Sequence, residues 1–173
     1  MKRVLLITMI LLLTGCQTLP VGEVHSFINK YQSLDNEVTK ELDDFIKESS
    51  LSKDLEPLYK EVYLRQYQDL KYKILDYKCG TNICNIPINI EVYDYLSVQT
   101  EALDYLANNE ELFEDENGNY DINLYEEYKL TKMKETKNRI NYVINVHLER
   151  KIFNWYVTPL DNNDLLKIHG IYE

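Results

Sequence analysis

The chain has 173 residues, with 19 Lys and Arg against 29 Asp and Glu, and a formal charge of −10. That balance excludes a nucleic-acid binder built on phosphate neutralisation, and it supplies no basic surface for an anionic membrane. An apolar fraction of 45% excludes a disordered chain.

The N-terminus forms three zones. Lys2 and Arg3 carry charge, Val4 to Leu13 is apolar apart from Thr8, and Leu13-Thr14-Gly15-Cys16 follows. The apolar run is shorter than the roughly 20 residues that span a bilayer, so it reads as a secretory signal and not as a transmembrane helix. The tetrapeptide resembles the bacterial lipobox. That resemblance implies a diacylglycerol on the Cys16 thiol and cleavage just before it. Two acyl chains hold where one is marginal. The expected organisation is a signal peptide over 1–15, a lipidated N-terminus and short tether over 16–22, and one domain over 23–173. Loss of Lys2 and Arg3 with the signal takes the formal charge from −10 to −12. The lipid must then hold the protein at the extracytoplasmic face of the cell membrane without help from the domain. Alanine occurs only at Ala102 and Ala107 while Tyr, Asn, Lys, Ile and Asp abound, a bias that fits an AT-rich, low-GC Gram-positive genome.

In chain order, Val24, Phe27, Ile28, Tyr31, Val38, Leu42, Phe45 and Ile46 follow helical spacing. This predicts one helix over 21–48, broken by Ser49-Ser50-Leu51-Ser52. Leu55, Leu58, Tyr59, Val62, Tyr63 and Tyr67 predict a second, with Pro57 in its tolerated first turn. Residues 69–78 read as a strand, and Cys84, Ile86, Ile88, Ile90 and Val92 alternate with polar neighbours as a second. The two form a hairpin around Gly80-Thr81-Asn82. Pro87 suggests an edge position or a bulge. Asp94 is a plausible cap for a third helix with Tyr95, Leu96, Leu103 and Leu106 inside. Residues 115–119 form an acidic turn, and 122–137 a fourth helix. Ile140, Tyr142, Ile144, Val146 and Leu148 alternate as a strand, Glu149-Arg150-Lys151 turns the chain, and Phe153, Trp155 and Val157 form the last strand. A short helix over 162–169 ends at Gly170. Helices and antiparallel strands are segregated, which predicts an α+β domain with a curved sheet of about four strands packed against helices.

This pattern resembles small lipoproteins with a nuclear-transport-factor-like, or cystatin-like, α+β fold. The resemblance is carried by the paired N-terminal helices, Lys71-Tyr72-Lys73-Ile74-Leu75, Ile90-Glu91-Val92-Tyr93-Asp94-Tyr95, Gly118-Asn119-Tyr120-Asp121 and Tyr128-Lys129-Leu130. It continues in Trp155-Tyr156-Val157 and the ending from Asp164 to Tyr172. It implies a curved sheet wrapped around helices, often with a pocket in the concavity. It implies no activity.

Several constellations bear on chemistry. Cys79 and Cys84 flank a tight turn and outside the cytoplasm form either a disulfide or two free thiols. Residues 115–126 place Asp115, Asn117, Asn119, Asp121 and Glu126 at the ligand rhythm of a calcium-binding EF-hand loop. Tyr120 stands where that loop needs Gly, so an acidic connector is the competing reading. Tyr72, Tyr93, Tyr142, Tyr156 and Trp155 either line a cavity or fill the core. His25, His147 and His169 sit in no motif with a nucleophile, and no catalytic set emerges. The expected function is a non-catalytic binding or interaction domain on a lipid anchor, with no cofactor unless calcium. Its partner is an envelope protein or a small ligand and not nucleic acid. The alternatives are an envelope enzyme using the sheet concavity, a calcium-responsive surface protein, or an immunity or exclusion lipoprotein.

Overall fold

The computed structural model describes residues 19–48 and 52–173. The signal peptide, Cys16 and the helix break at residues 49–51 lie outside the described residues. Within them, five antiparallel strands form one curled sheet packed against helices, the α+β arrangement expected from the sequence.

The sheet is built on two long strands, β3 (Ile83–Tyr93) and β4 (Arg139–Lys151), paired from Ile83–Glu149 to Tyr93–Arg139. Their period-2 pattern fixes the register, because a one-residue slip would put every apolar side chain in water. Cys84, Ile86, Ile88, Ile90 and Val92 of β3 and Ile144, Val146 and Leu148 of β4 are buried on the inner face. Each such Ile or Val contributes roughly 1.5–3 kcal/mol of transfer free energy. Asn85, Asn141, Asn145 and His147 point outward and are exposed. β5 (Asn154–Val157) pairs with the tip half of β4.

On the other edge of β3, β1 (Lys71–Ile74) and β2 (Lys78–Cys79) lie end to end. The single strand expected over 69–78 is therefore split. Pro87 explains the gap. Its carbonyl accepts from Leu75 N at 2.9 Å, but it has no N–H to return on that side. Pro87 is thus neither at an edge nor in a separate bulge: it sits in a central strand, where the neighbouring strand is interrupted. Cys79 and Cys84 face each other across the β2–β3 turn and their sulfurs are bonded.

The helix expected over 21–48 is two helices, α1 (Pro20–Gln32) and α2 (Asn36–Glu48). Leu34 takes a left-handed conformation, φ 54°. Leu34 N donates to Tyr31 O, and Asp35 N to Lys30 O, the paired closure of a Schellman turn. Asp35 then accepts from Glu37 N and Val38 N, starting α2. α3 (Glu56–Gln68) carries Pro57 in its first turn. α4 (Tyr95–Asn108) is capped by Asp94, which accepts from Ser97 N. Tyr95, as expected, and Val98 and Ala102 are its inward residues; Leu103, expected inside, is 55% exposed. A 3₁₀ turn (Glu110–Phe113) leads to α5 (Ile122–Glu135). β4 runs straight through Glu149-Arg150-Lys151, and the chain reverses at Ile152-Phe153 instead. α6 (Asn162–His169) is capped by Asp161 and ends at Gly170, φ 72°.

One buried joint ties helices to sheet. Gln66 of α3 is completely buried; its amide donates to Tyr93 O at 3.1 Å and accepts from Tyr93 N at 2.8 Å. It replaces the strand partner that β3 lacks beyond Glu91. Gly170 lies against the same carbonyl. The Tyr93 ring is held between the Arg65 and Arg139 guanidiniums, 3.7 and 4.1 Å from its centroid, and its hydroxyl donates to Asp69. Arg65 also donates to the carbonyls of Met133, Lys134 and Thr136 at the end of α5. The main core and the side chains packed on it run from Val21 to Ile171. A smaller core of Ala102, Phe113 and Tyr125 joins α4 to α5. A chain starting at Gln17 therefore carries the whole fold.

Candidate functional site

An aromatic concave site lies between α1, α2 and α6, with α3 beneath it. The Leu34 turn folds α2 back beside α1, and α6 closes the far side. The floor is aromatic. Tyr31 and Tyr67 meet edge to face at 5.2 Å, and Phe45 packs on His169 at 5.2 Å between ring centroids. His169 Nε2 and the Tyr67 hydroxyl share a 2.8 Å hydrogen bond. Glu41 stands at the mouth. Two adjoining cavities, of about 200 Å³ and about 270 Å³, share Tyr31, Val38, Glu41 and Leu165, so they form one cleft.

Burial sets the protonation states here. It pushes the His169 imidazole down to about 4, so the ring is neutral at pH 7. Burial, then the charges of Glu41 and Glu37, hold the Tyr31 phenol well above its ordinary value. Tyr67 is raised for the same leading reason, then by Tyr31 and Glu41. Glu41 is itself raised, by burial first and then by Glu37. Lys30 at the mouth is paired with Glu37. The Glu41 carboxylate has neither an ion pair nor a hydrogen bond among the described residues. A general base works best with a pKa near the operating pH. Burial puts His169 well below it and Tyr67 well above it, and the two are joined by their hydrogen bond. The cleft presents aromatic surface, a fixed polar pair and one available carboxylate.

The residues singled out from sequence are distributed differently. Tyr72 and Tyr142 share the inner face on either side of Ile90. The Tyr72 hydroxyl bonds His25 Nδ1, and that of Tyr142 donates to Tyr172 O. Tyr93 has the opposite parity and is clamped by arginines. Trp155 is buried on β5 at the far end, and Tyr156 faces outward. These residues do not line one cavity. The inner sheet face, where the resemblance placed a pocket, is filled: Ile86, Ile88, Ile90 and Ile144 are fully buried under the helices. His147 faces solvent and bonds Asn85.

The acidic loop has local uses for its oxygens. Asp115 accepts from Asn117 N and Asn119 N, which also holds its carboxyl below the usual range. Gly118 takes the left-handed position, φ 79°, and Tyr120 does not. Asp121 caps α5 by accepting from Asn123 N, and Glu126 pairs with Lys129. The acidic members of the five candidate ligands are not brought around one point, and no group of three or more His, Cys, Asp or Glu placed to hold a metal occurs among the described residues.

Sequence reasoning missed the cleft because its residues come from four helices, the last of them far from the others in the chain. The one available signal was a tyrosine-rich helix pair facing a histidine at the end of a capped helix.

No protein-family model matches the chain, and no curated protein matches it in sequence. In fold it is similar to the crystal structure of a "putative lipoprotein" (ycdA) from Bacillus subtilis, with 11% identity and a TM-score of 0.47. The match covers 82% of this chain and 47% of that one, about half its length.

Proposed function

We propose that this protein is a lipid-anchored binding protein of the extracytoplasmic membrane face, and that the α1–α2–α6 cleft takes a small ligand with an aromatic or apolar body and a cationic head. The observation that carries the ligand is the pairing of an aromatic floor with the unpartnered Glu41 carboxylate at its mouth. Aromatic faces and a carboxylate together favour a cation, and the ring quadrupole adds about 0.5–2 kcal/mol. The anchor rests on the three-zone N-terminus and Leu13-Thr14-Gly15-Cys16. The bonded Cys79–Cys84 pair suits an oxidising compartment. A neutral His169 and a raised Tyr67 favour binding over catalysis.

Each half has its own test. In cells, an alkyne-labelled palmitate is expected to enter the parent protein and not Cys16→Ser, with the variant lost from the membrane fraction. Equal labelling of both sinks the anchor. For the cleft, benzyltrimethylammonium titrated into the chain from Gln17 is expected to perturb the Tyr31 and Tyr67 ring signals saturably. Glu41→Gln is expected to weaken that binding about fivefold, the equivalent of roughly 1 kcal/mol. Absence of saturable shifts up to millimolar probe removes the cationic-ligand reading.

A further inference from the structure

The turn between β4 and β5 breaks the rules of its own geometry. Lys151 pairs with Asn154, which leaves a two-residue loop of Ile152 and Phe153. Ile152 has φ 60° and Phe153 is not in the left-handed region. This is the position that Gly fills in a type II′ hairpin. A β-branched residue there is strained. The strain secures no packing, because Ile152 is 87% exposed and Phe153 is 64% exposed. Two large apolar side chains are thus held out into solvent at the tip of a rigid hairpin.

The surroundings point to one occupant. Arg150 N donates to Asn82 O, so this tip and the β2–β3 turn form a single end of the sheet. Ile83, also 63% exposed, belongs to that end, with Lys151 and Glu149 on its outer side, while Arg150 turns inward over the Trp155 ring. Lys151 is the residue next to Ile152, so a cation stands directly beside the exposed apolar tip. The direction of α1 adds a second argument. Gln32 at its C-terminus donates to Leu70 O beside the start of β1, while His25 meets Tyr72 one step along that strand. α1 therefore runs away from the hairpin end, and its N-terminus at Pro20 faces that end. Leu19, just before Pro20, is 73% exposed, and Cys16 precedes it by three residues, a reach of roughly 10 Å.

We propose that this end is a second membrane contact. Ile152 and Phe153 enter the boundary between headgroups and acyl chains of an anionic bilayer, and Lys151 lies at the level of the phosphates. Apolar wedges flanked by cations are what such an interface binds. The orientation deepens the anchored reading above, since a lipid on Cys16 would bring this end down first. The contact itself does not depend on that lipid and is tested without it.

The test uses the unlipidated chain from Gln17 and co-sedimentation with vesicles of phosphatidylglycerol and phosphatidylcholine, against phosphatidylcholine alone. The comparison variant is Ile152→Gly with Phe153→Asn, which supplies the residues the turn geometry prefers. It is expected to melt no lower than the parent, so lost binding cannot come from lost folding. The parent is expected to bind the anionic vesicles, and the variant to bind at least about tenfold more weakly. Leu112→Glu, on an exposed apolar patch by α4 at the opposite end of β3, is expected to leave binding unchanged. No binding by the parent, or equal binding by the variant, overturns the proposal. Failure of palmitate labelling at Cys16 would remove the anchor and leave this result standing.

Discussion

Gly170→Ala is expected to destabilise the protein by about 3 kcal/mol, lowering the melting temperature by roughly 10 °C for a domain of this size. Two costs add. Gly170 has φ 72°, where a side chain is disfavoured by about 1 kcal/mol. A Cβ there would also lie 2.1 Å from Tyr93 O and 2.5 Å from Gln66 Nε2. Tyr93 O cannot give way cheaply. It accepts from Gln66, and Tyr93 N donates to the same amide in a fully buried site. Moving the carbonyl strands buried polar groups at about 1–3 kcal/mol each. Gly22→Ala is the control. A Cβ at Gly22 meets nothing within 4 Å, and Ala within a helix is favoured by roughly 0.5–1 kcal/mol. Thermal melts of the two variants should therefore move in opposite directions. Equal melting temperatures for Gly170→Ala and the parent would mean that the Gln66–Tyr93–Gly170 joint does not hold α6 to the sheet.

The sheet was legible because its signal is local and periodic. Ile86, Ile88, Ile90 and Ile144, Val146, Leu148 alternate with Pro87, Asn89, Asn145 and His147, and both strands fall where that alternation places them. Asp94 and Gly170 mark helix ends by chemistry that needs no tertiary partner. The misreadings share a cause. Leu34 occupies a left-handed closing position that Gly or Asn usually fills, so the break between α1 and α2 hid inside a continuous helical pattern. Ile152 and Phe153 look like strand residues and stand in a turn, which moved the expected reversal to Glu149–Lys151. In residues 115–126, read as either an acidic connector or a calcium loop, Asp115 and Asp121 do turn and capping work. The cleft was illegible for a different reason. Tyr31, Glu41, Phe45, Tyr67 and His169 meet only after four helices pack, and nothing in their spacing announces it.

The cleft also fixes an expected response to acid. The His169 pKa falls from an ordinary 6.5 to about 4 on folding, because burial disfavours the imidazolium. A protein whose unfolded state binds the extra proton loses stability as the proton becomes available. This contribution is fully present above pH 6.5 and drains away as the pH falls towards 4. It amounts to about 3 kcal/mol by pH 4. Glu91 and Asp115 are lowered on folding, Glu91 chiefly by its hydrogen bond from Lys71 and Asp115 by the backbone of Asn119 and Asn117. Their losses come later, as the pH drops below the ordinary carboxylate range. Glu41 is raised and acts in the opposite direction, regaining some stability as it protonates. Urea denaturation at intervals from pH 7.5 to 4 should thus show a decline that begins near 6.5, before the lowered Glu91 and Asp115 contribute. His169→Gln keeps a hydrogen-bonding group opposite Tyr67 and cannot ionise, so its stability should be flat between pH 6.5 and 5. A parent curve that is also flat there would mean that the His169 ring is open to water, and the cleft floor would then be a wet surface instead of an enclosed aromatic one.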